Sequence, residues 1–304
     1  MSVMSRLART IVGVILVAVG MIALVKYVFG YELRETYEHA LTLGDHVREI
    51  RIENDNLALD IDFAAGDENA VRIEGKAAPD MVKQIRSAEV KNGVLHLRFK
   101  DRERWNWSFF PDFTWGERQS ITISLTEEAL ESFETFKVSS DAGSVRVNGA
   151  KARDIVIGSD SGSIRLGRLQ GGTLTVTSDS GGIRLEGYEG KSLALRSESG
   201  SIHADEVHAG VTAVSDSGSI TINHLTGAGN IKTDSGPIRI VKEDEMGAVV
   251  SSDSGSVRIT VPPSYSGSYD LKSDSGLIRH PDAAGTSGEV IKVRTESGSI
   301  RIEQ

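Results

Sequence analysis

A short turn motif that recurs nine times constrains the fold of this chain more than any other feature. Most copies contain S-D-S-G, and the stretch from Val176 to Leu185 (VTSDSGGIRL) is representative. The central glycine of the motif stands at positions 143, 162, 181, 200, 218, 236, 255, 276 and 298, so successive copies lie 18 to 22 residues apart. A period this regular is typical of stacked repeat architectures.

Apolar residues occupy matching positions on both sides of every turn. Two residues after the glycine, each copy has Val or Ile, which are β-branched and favoured in strands. Five residues before the glycine stand Val138, Ile157, Val176, Leu195, Ala213, Ile231, Val250, Leu271 and Val293. Several copies add a further apolar position, at Leu169, Tyr188, Val207 and Leu225. Each copy therefore predicts two short strands joined by a polar corner, followed by a shorter third side.

Two architectures fit these columns. Antiparallel hairpins would pair the two strands of one copy, whereas a parallel β-solenoid would stack each strand on its counterpart one period away. Stacking is favoured because near-identical residues one period apart fill matching space. We therefore predict an all-β fold, a right-handed parallel β-solenoid with coils of about 19 residues over residues 136–304. The hand follows the usual chirality of parallel crossovers.

An acidic residue stands two positions before each glycine, and this set is called the acidic column: Asp141, Asp160, Asp179, Glu198, Asp216, Asp234, Asp253, Asp274 and Glu296. Most copies carry an arginine five residues after the acid, called here the arginine column: Arg146, Arg165, Arg184, Arg239, Arg258, Arg279 and Arg301. Stacked carboxylates repel, so they need compensation. Capping of turn amides by the Asp side chains, with pairing to the arginines, is favoured over a column of bound cations. The period differs from the nine-residue calcium-binding repeat, and we predict no metal and no cofactor.

The N-terminus predicts a membrane anchor. Residues 1–10 contain Arg6 and Arg9 and no acid, and residues 11–30 are apolar except for Lys26. This length is close to the roughly 20 residues that cross a bilayer. A cleaved secretory signal is the alternative, although no cleavage site follows. The charge bias predicts a single-pass protein of the cell membrane, with residues 1–10 cytoplasmic and the C-terminal domain extracytoplasmic.

Two regions separate the anchor from the repeats. Residues 31–47 are predicted to be a helical stalk, because Leu33, Tyr37 and Leu41 recur at four-residue spacing. Residues 48–135 alternate with period two, which predicts an irregular β region. This region forms either N-terminal coils of the same solenoid or a separate small β-domain. A short helix is expected within residues 79–88.

One insertion, at residues 105–115, breaks the pattern. It holds all three Trp and three of the eight Phe, namely Trp105, Trp107, Phe109, Phe110, Phe113 and Trp115. Such a cluster predicts a binding site for the membrane interface, for sugar rings or for a protein. The alternative is that it caps the open end of the sheet stack, since solenoids need terminal caps. The neighbouring Lys100, Arg102 and Arg104 favour an anionic neighbour.

The remaining composition excludes several functions. The net charge of −9 offers no basic excess for nucleic acid, which is therefore not a predicted partner. The chain has no Cys, so disulfides and thiol chemistry are excluded. Metalloprotease, nucleophile-elbow, P-loop and dinucleotide motifs are all missing from the sequence. We predict no catalytic residues and no enzymatic activity.

The S-D-S-G-S-I-R-L units, the I-x-I-E-N-D-N-L opening at Ile50–Leu57 and the single N-terminal anchor together resemble a known family. It is the bacterial "putative adhesin" β-strand-repeat family, formerly a domain of unknown function, which includes LiaG-like membrane proteins. The resemblance covers roughly residues 48–304. It implies a β-solenoid ectodomain without established enzymatic activity, and it supplies no functional residues.

These observations favour a membrane-anchored extracytoplasmic protein that acts as an adhesin or as an envelope scaffold. Its expected partners are the membrane, other envelope components and membrane proteins, and the resemblance links it to the envelope stress response. Two alternatives remain at this point. One is a carbohydrate-active enzyme on envelope polysaccharide, and the other is an accessory partner of a membrane sensor system.

Overall fold

The computed structural model describes residues 34–100 and 117–304. The N-terminal part of these residues forms strands and two short helices, α1 (Pro79–Arg86) and α2 (Glu127–Ser132). Its strands are β1 (Glu35–Thr42), β2 (Glu49–Asn54), β3 (Ala58–Ala65), β4 (Ala70–Ala77), β5 (Val90–Lys91), β6 (Val94–Phe99) and β7 (Arg118–Leu125).

The repeats form strands throughout. The first four copies contain β8 (Thr135–Ser140), β9 (Val145–Asn148), β10 (Lys151–Ser159), β11 (Ile164–Ser178), β12 (Ile183–Ser197), β13 (Ile202–Ala204) and β14 (Val207–Ser215). The remaining copies contain β15 (Ile220–Thr226), β16 (Gly229–Thr233), β17 (Ile238–Lys242), β18 (Ala248–Ser252), β19 (Val257–Thr260), β20 (Ser268–Ser273), β21 (Ile278–Arg279), β22 (Val290–Thr295) and β23 (Ile300–Glu303).

Strands of successive repeats pair in parallel with their counterparts one period away. Ile164 of β11 aligns with Ile183 of β12, and Leu174 aligns with Leu193. The long strands β11 and β12 each run from one corner to the next, so a single strand covers the sides of the coil between two corners. The predicted parallel stack is confirmed and the antiparallel hairpin alternative is wrong. The right-handed sense of the coil stays a prediction.

The predicted apolar columns form the core. Ile164, Ile220 and Ile238 are at most 1% exposed, because strands from the coils above and below cover them. The third side also exists, since Leu169 aligns with Tyr188 and Tyr188 with Val207, and all three are buried. One coil therefore encloses its core from three directions, and neighbouring coils close the remaining two.

Buried hydroxyl groups hold most of the corners together, although Ser178 Oγ has no hydrogen-bond partner among the described residues. The residue three before the glycine is Ser or Thr in every repeat, and it is buried in all but the outermost one. The backbone N–H of Gly200 donates to Ser197 Oγ at 2.9 Å, and that of Gly218 donates to Ser215 Oγ at 2.9 Å. Thr233 Oγ1 in turn donates to the carbonyl of Gly218 in the preceding coil, at 3.2 Å. The sequence-based expectation that the Asp side chain caps the turn is wrong, since the neighbouring hydroxyl performs that role.

Chain order and spatial order differ at both ends of the stack. At the N-terminal end, β2 lies between β6 and β8, and β3 lies between β7 and β9. At the C-terminal end, β22 lies between β18 and β20, and β23 lies between β19 and β21. The last repeat in the sequence is thus the penultimate coil in space. The stacking in strict sequence order that a repeat pattern suggests fails for these coils.

The strands of the irregular region belong to the same sheet as the repeats. Ile50 of β2 aligns in parallel with Phe136 of β8, and Ile52 aligns with Val138. Strands β4 and β1 then extend the sheet in antiparallel fashion beyond β7. Of the two possibilities for residues 48–135, the described residues therefore follow the first, coils of the same solenoid.

A helix covers the core at this N-terminal end. The predicted helix within residues 79–88 is confirmed as α1, which buries Met81, Val82 and Ile85. It starts with Pro79, whose fixed φ suits the first helical turn.

The helix predicted for residues 31–47 is wrong. Residues 35–42 form strand β1, which pairs with β4. A spacing of four residues is also a multiple of the two-residue period of a strand, so Tyr37 and Leu41 face one side in either structure. Residues 35–42 form a strand because they pair with β4.

The predicted anchor at residues 11–30 lies outside the described residues. Within residues 34–100 and 117–304, neither helix has the length and apolar character needed to span a bilayer.

Candidate interaction surfaces

The six aromatic residues predicted to bind a partner lie outside the described residues, which end at Lys100 and resume at Glu117. They are Trp105, Trp107, Phe109, Phe110, Phe113 and Trp115. The strands that precede and follow them, β6 and β7, form the outermost parallel coil of the N-terminal end. The insertion therefore takes the place in sequence that the S-D-S-G corner occupies in the repeats.

An ion pair joins the two chain segments that meet at this end. The Arg34 guanidinium contacts the Glu117 carboxylate, and both side chains are about three-quarters buried. Arg34 stands four residues after the predicted anchor, and Glu117 stands two residues after the aromatic insertion. The flank of the predicted anchor and the flank of the insertion thus converge at one end of the rod.

A cleft of about 830 Å³ opens beside this ion pair. Its lining includes Tyr37, Glu74, Lys76 and Arg118. The Tyr37 hydroxyl donates to Gln119 Oε1 at 2.7 Å, and Gln119 Nε2 donates to the Lys76 carbonyl at 2.8 Å. Burial raises the pKa of Tyr37 well above its usual range, so the phenol remains a hydrogen-bond donor. The cleft is open and carries both signs of charge, which suits a polar contact surface better than a catalytic pocket.

Two cationic side chains and a histidine surround one carboxylate where the chain leaves the described residues. Glu53 lies 3.0 Å from His96, 3.8 Å from Arg98 and 3.6 Å from Lys100. Partial desolvation opposes ionisation of Glu53, but these neighbours hold its pKa below the usual value. A single acid faces three cationic or protonatable groups, so this flank of the insertion favours an anionic neighbour.

The acidic column is not compensated as the sequence suggested. Among the residues described, no arginine-column member forms an ion pair with the acidic column. Asp234 and Asp274 instead contact Lys232 and Lys272, at 3.5 and 3.3 Å. These lysines precede the acid by two residues and lie on its own side of the corner. The acids that form ion pairs therefore contact lysines on the strand before the turn, whereas the arginines lie on the strand after it.

The arginine column consequently stands free on the surface. All seven members are exposed, and in the part of the chain that the structure describes only Arg301 forms an ion pair, with Glu303. Stacked strands place neighbouring guanidinium-bearing residues about 4.8 Å apart. At that spacing, like charges repel by roughly 1 kcal/mol per neighbouring pair even in water. Free cations held at this spacing form a surface suited to an anionic ligand.

No catalytic arrangement is evident among the described residues. They contain no group of three His, Asp or Glu side chains placed to hold a metal ion. The closest pairing of a base with an acid is His224 Nδ1 with Glu243 Oε1, at 2.5 Å on the exposed surface. The Glu243 carboxylate accepts a hydrogen bond from the ring and thereby raises the pKa of this histidine. The pair has no neighbouring nucleophile or enclosed pocket, and it links two adjacent coils.

Sequence reasoning missed two features of these surfaces. The Arg34–Glu117 contact joins residues 83 positions apart, and no local pattern indicates it. The buried Ser and Thr column was visible in the sequence, because every repeat has a hydroxyl residue at that position. The signal was the constancy of Ser where most surface turns vary.

One of the solved structures similar to this chain shares its fold. A crystal structure of a "putative lipid binding protein" from Parabacteroides distasonis superposes with a TM-score of 0.51 and 14% identity, over 89% of this chain and 97% of that one. A "putative adhesin" from Bacteroides fragilis gives a TM-score of 0.45 and 17% identity, over 88% and 97% of the two chains. At these identities the likeness to the first concerns the fold alone.

No curated protein matches the chain. A family model described as Toastrack DUF4097 matches residues 47–303. This range begins shortly before β2 and ends with β23, so the model spans nearly all of the described sheet.

Proposed function

The chain belongs to the Toastrack DUF4097 family, and from this premise we propose that it is a membrane-anchored, extracytoplasmic interaction protein of the cell envelope. In this proposal residues 11–30 span the membrane once and residues 1–10 are cytoplasmic. The solenoid acts as a rod of the adhesin or scaffold type, without catalytic activity. Its N-terminal end faces the membrane, where the aromatic insertion contacts lipid headgroups or a neighbouring membrane protein.

The ion pair between Arg34 and Glu117 carries this proposal. It ties the start of the ectodomain to the end of the aromatic insertion. A chain that leaves the bilayer near residue 30 has only a few residues before Arg34, which span at most about 3.5 Å each. The end of the rod that bears Glu117 is therefore held close to the membrane surface.

The chemistry of the insertion suits that position. Trp and Tyr side chains concentrate at membrane interfaces because they have an apolar body and a polar edge. The cluster of His96, Arg98 and Lys100 around Glu53 adds positive charge beside the insertion, which anionic headgroups attract.

Crosslinking in intact cells tests the role of the insertion. We expect Trp105→Ala, Trp107→Ala and Trp115→Ala together to remove most crosslinks to lipid and to membrane proteins. The matched control changes three exposed apolar residues toward the far end, Leu277, Ile278 and Val290, to Ala. This control should keep the crosslinks. Equal losses in both variants, or none in the Trp variant with an unchanged thermal midpoint, would contradict the proposal.

Thiol labelling tests the topology cleanly, because the chain has no Cys of its own. A membrane-impermeant maleimide should label Ser254→Cys, at an exposed corner, in intact cells. It should label Ser2→Cys only after the cells are opened. The reverse pattern would refute the proposed orientation.

Incubating the full chain with envelope polysaccharide tests the absence of catalysis. We expect the glycan to remain at its original length. Shortened chains would instead favour a carbohydrate-active enzyme.

A further inference from the structure

Four arginines form an unbroken row across the last coils of the solenoid. Strand pairing aligns Arg239 with Arg258, Arg258 with Arg301, and Arg301 with Arg279. The row depends on the exchanged order of the last two repeats, which places Arg301 between Arg258 and Arg279. Three steps of about 4.8 Å give the row a length of about 14 Å.

A shallow groove runs along this row and contains no carboxylate. It has a volume of about 430 Å³. The four arginines line it, together with the Ile or Val residue that precedes three of them. Pro237, Ser256, Ser299 and Leu277 complete the lining. Within the described residues, Arg239, Arg258 and Arg279 have no ion-pair or hydrogen-bond partner through their guanidinium groups. The acidic column lies in the corners themselves, and none of its members lines the groove.

We propose that this arginine row binds a linear polymer of phosphate groups. A guanidinium donates two parallel hydrogen bonds to phosphate oxygens. The four guanidinium groups follow a line along the rod and do not converge on one point, so they match a ligand whose charges repeat along its length. A phosphate carries several anionic oxygens and can bridge two neighbouring guanidinium groups. The protein's net charge of −9 opposes non-specific binding of polyanions, which makes the row the favoured place for them.

A second set of stacked arginines consists of Arg146, Arg165 and Arg184. It is shorter, because the next coil has a histidine at the aligned position. Arg184 aligns with His203, and His203 aligns with Thr221. Glu186 stands two residues from Arg184 on the same exposed face. The row of four also has a neighbouring carboxylate, since Arg301 pairs with Glu303, but its other three guanidinium groups are unpaired among the described residues. The shorter set has only three cations in all, so it should bind a polyanion more weakly than the row of four.

Binding of linear inorganic polyphosphate to the full chain in nonionic detergent tests the proposal. The variant Arg258→Gln with Arg301→Gln removes the middle of the row. The control Arg196→Gln with Lys151→Gln removes the same charge from exposed positions outside it. We expect the row variant to bind at least about tenfold more weakly. The slope of log affinity against log salt should fall by about 1.5 to 2. The control should change neither quantity appreciably.

Two further ligands separate polymer binding from other sources of phosphate. Orthophosphate at the same total phosphate concentration should not displace polyphosphate, and neither should detergent micelles that contain phosphatidylglycerol. Displacement by orthophosphate would show simple anion binding, and displacement by the lipid would identify a headgroup site. Either result, or equal affinity of the row and control variants, would overturn the proposal. It does not depend on how the N-terminal end meets the membrane.

Discussion

Gly181 packs directly against the carbonyl oxygen of Gly162 in the preceding coil. A Cβ atom added to Gly181 would lie 2.0 Å from that oxygen, far inside van der Waals contact. A Cβ atom added to the adjacent Gly182 would make only ordinary van der Waals contacts, with no atom nearer than 3.6 Å. Two neighbouring glycines therefore have opposite requirements.

We expect Gly181→Ala to destabilise the protein by about 1–3 kcal/mol or more, because the coils must separate to admit the methyl group. Gly182→Ala should be neutral or stabilising by up to about 1 kcal/mol, since it reduces the entropy of the unfolded chain. Thermal and denaturant unfolding of the two variants provide the measurement. Similar losses for both would contradict the proposed role of the close contact.

Removing a corner hydroxyl should also destabilise the stack. Ser197→Ala leaves the buried N–H of Gly200 without its acceptor, which costs about 1–3 kcal/mol. Ser197→Thr should be tolerated, because Thr233 and Thr295 make the same bond in other coils. Denaturant midpoints test the pair, and an Ala variant as stable as the Thr variant would argue against the hydroxyl column.

A buried lysine replaces an apolar residue on the third side of one coil. Lys242 aligns with Leu225, and its Nζ lies 2.7 Å from the Gly227 carbonyl and 2.8 Å from Asp244. Lys242→Ala should lower the free energy of unfolding by about 3 kcal/mol, because it leaves the partly buried carboxylate of Asp244 without its partner. Lys242→Met combined with Asp244→Asn should cost less, because no unpaired charge remains. A double variant less stable than the single one would show that the ion pair itself is strongly favourable.

The exposed pair of His224 and Glu243 should titrate in a coupled way. The hydrogen bond that His224 donates to Glu243 raises the pKa of His224 in the folded protein above its usual 6.5. The pairing therefore contributes stability below about pH 6.5, and this contribution is lost as the pH rises through the folded-state pKa. The NMR titration of His224 should shift downward in Glu243→Gln. It should shift less in Asp205→Asn, whose charge acts only at a distance. An unchanged titration in Glu243→Gln would contradict the pairing.

The apolar columns made most of the fold predictable. Residues such as Ile164 and Ile183 recur at one period because each covers the next, and that requirement is visible in the sequence alone. The sequence does not show which way the side chains at a turn point. Asp179 lies in the corner after β11, whereas Arg184 lies on β12, and the predicted ion pair between them does not form.

The exchange of the last two coils had only a weak sequence signal. The final intervals of 21 and 22 residues exceed the earlier ones, which indicates a longer connection. Nothing in the corner itself specifies that Gly298 should contact Gly255, because all corners have nearly the same residues and any two can stack. The longer connections are the sequence feature that distinguishes these coils from the others. The aromatic insertion at 105–115 has no repeat partner, so the column comparison gave no geometry for it.

The exchanged order of the last two coils also determines when each can pair during synthesis. Strands β20 and β21 leave the ribosome before β22 and β23, yet among the described strands they pair only with β22 and β23. The growing chain can add each earlier coil as it emerges, but this one must wait for its successor. During that interval its apolar residues Tyr269, Leu271 and Ile278 have no template. The coils at the far end of the rod therefore remain unpaired longest during synthesis. A chaperone, or an exposed strand edge of another chain, has the most time to bind them.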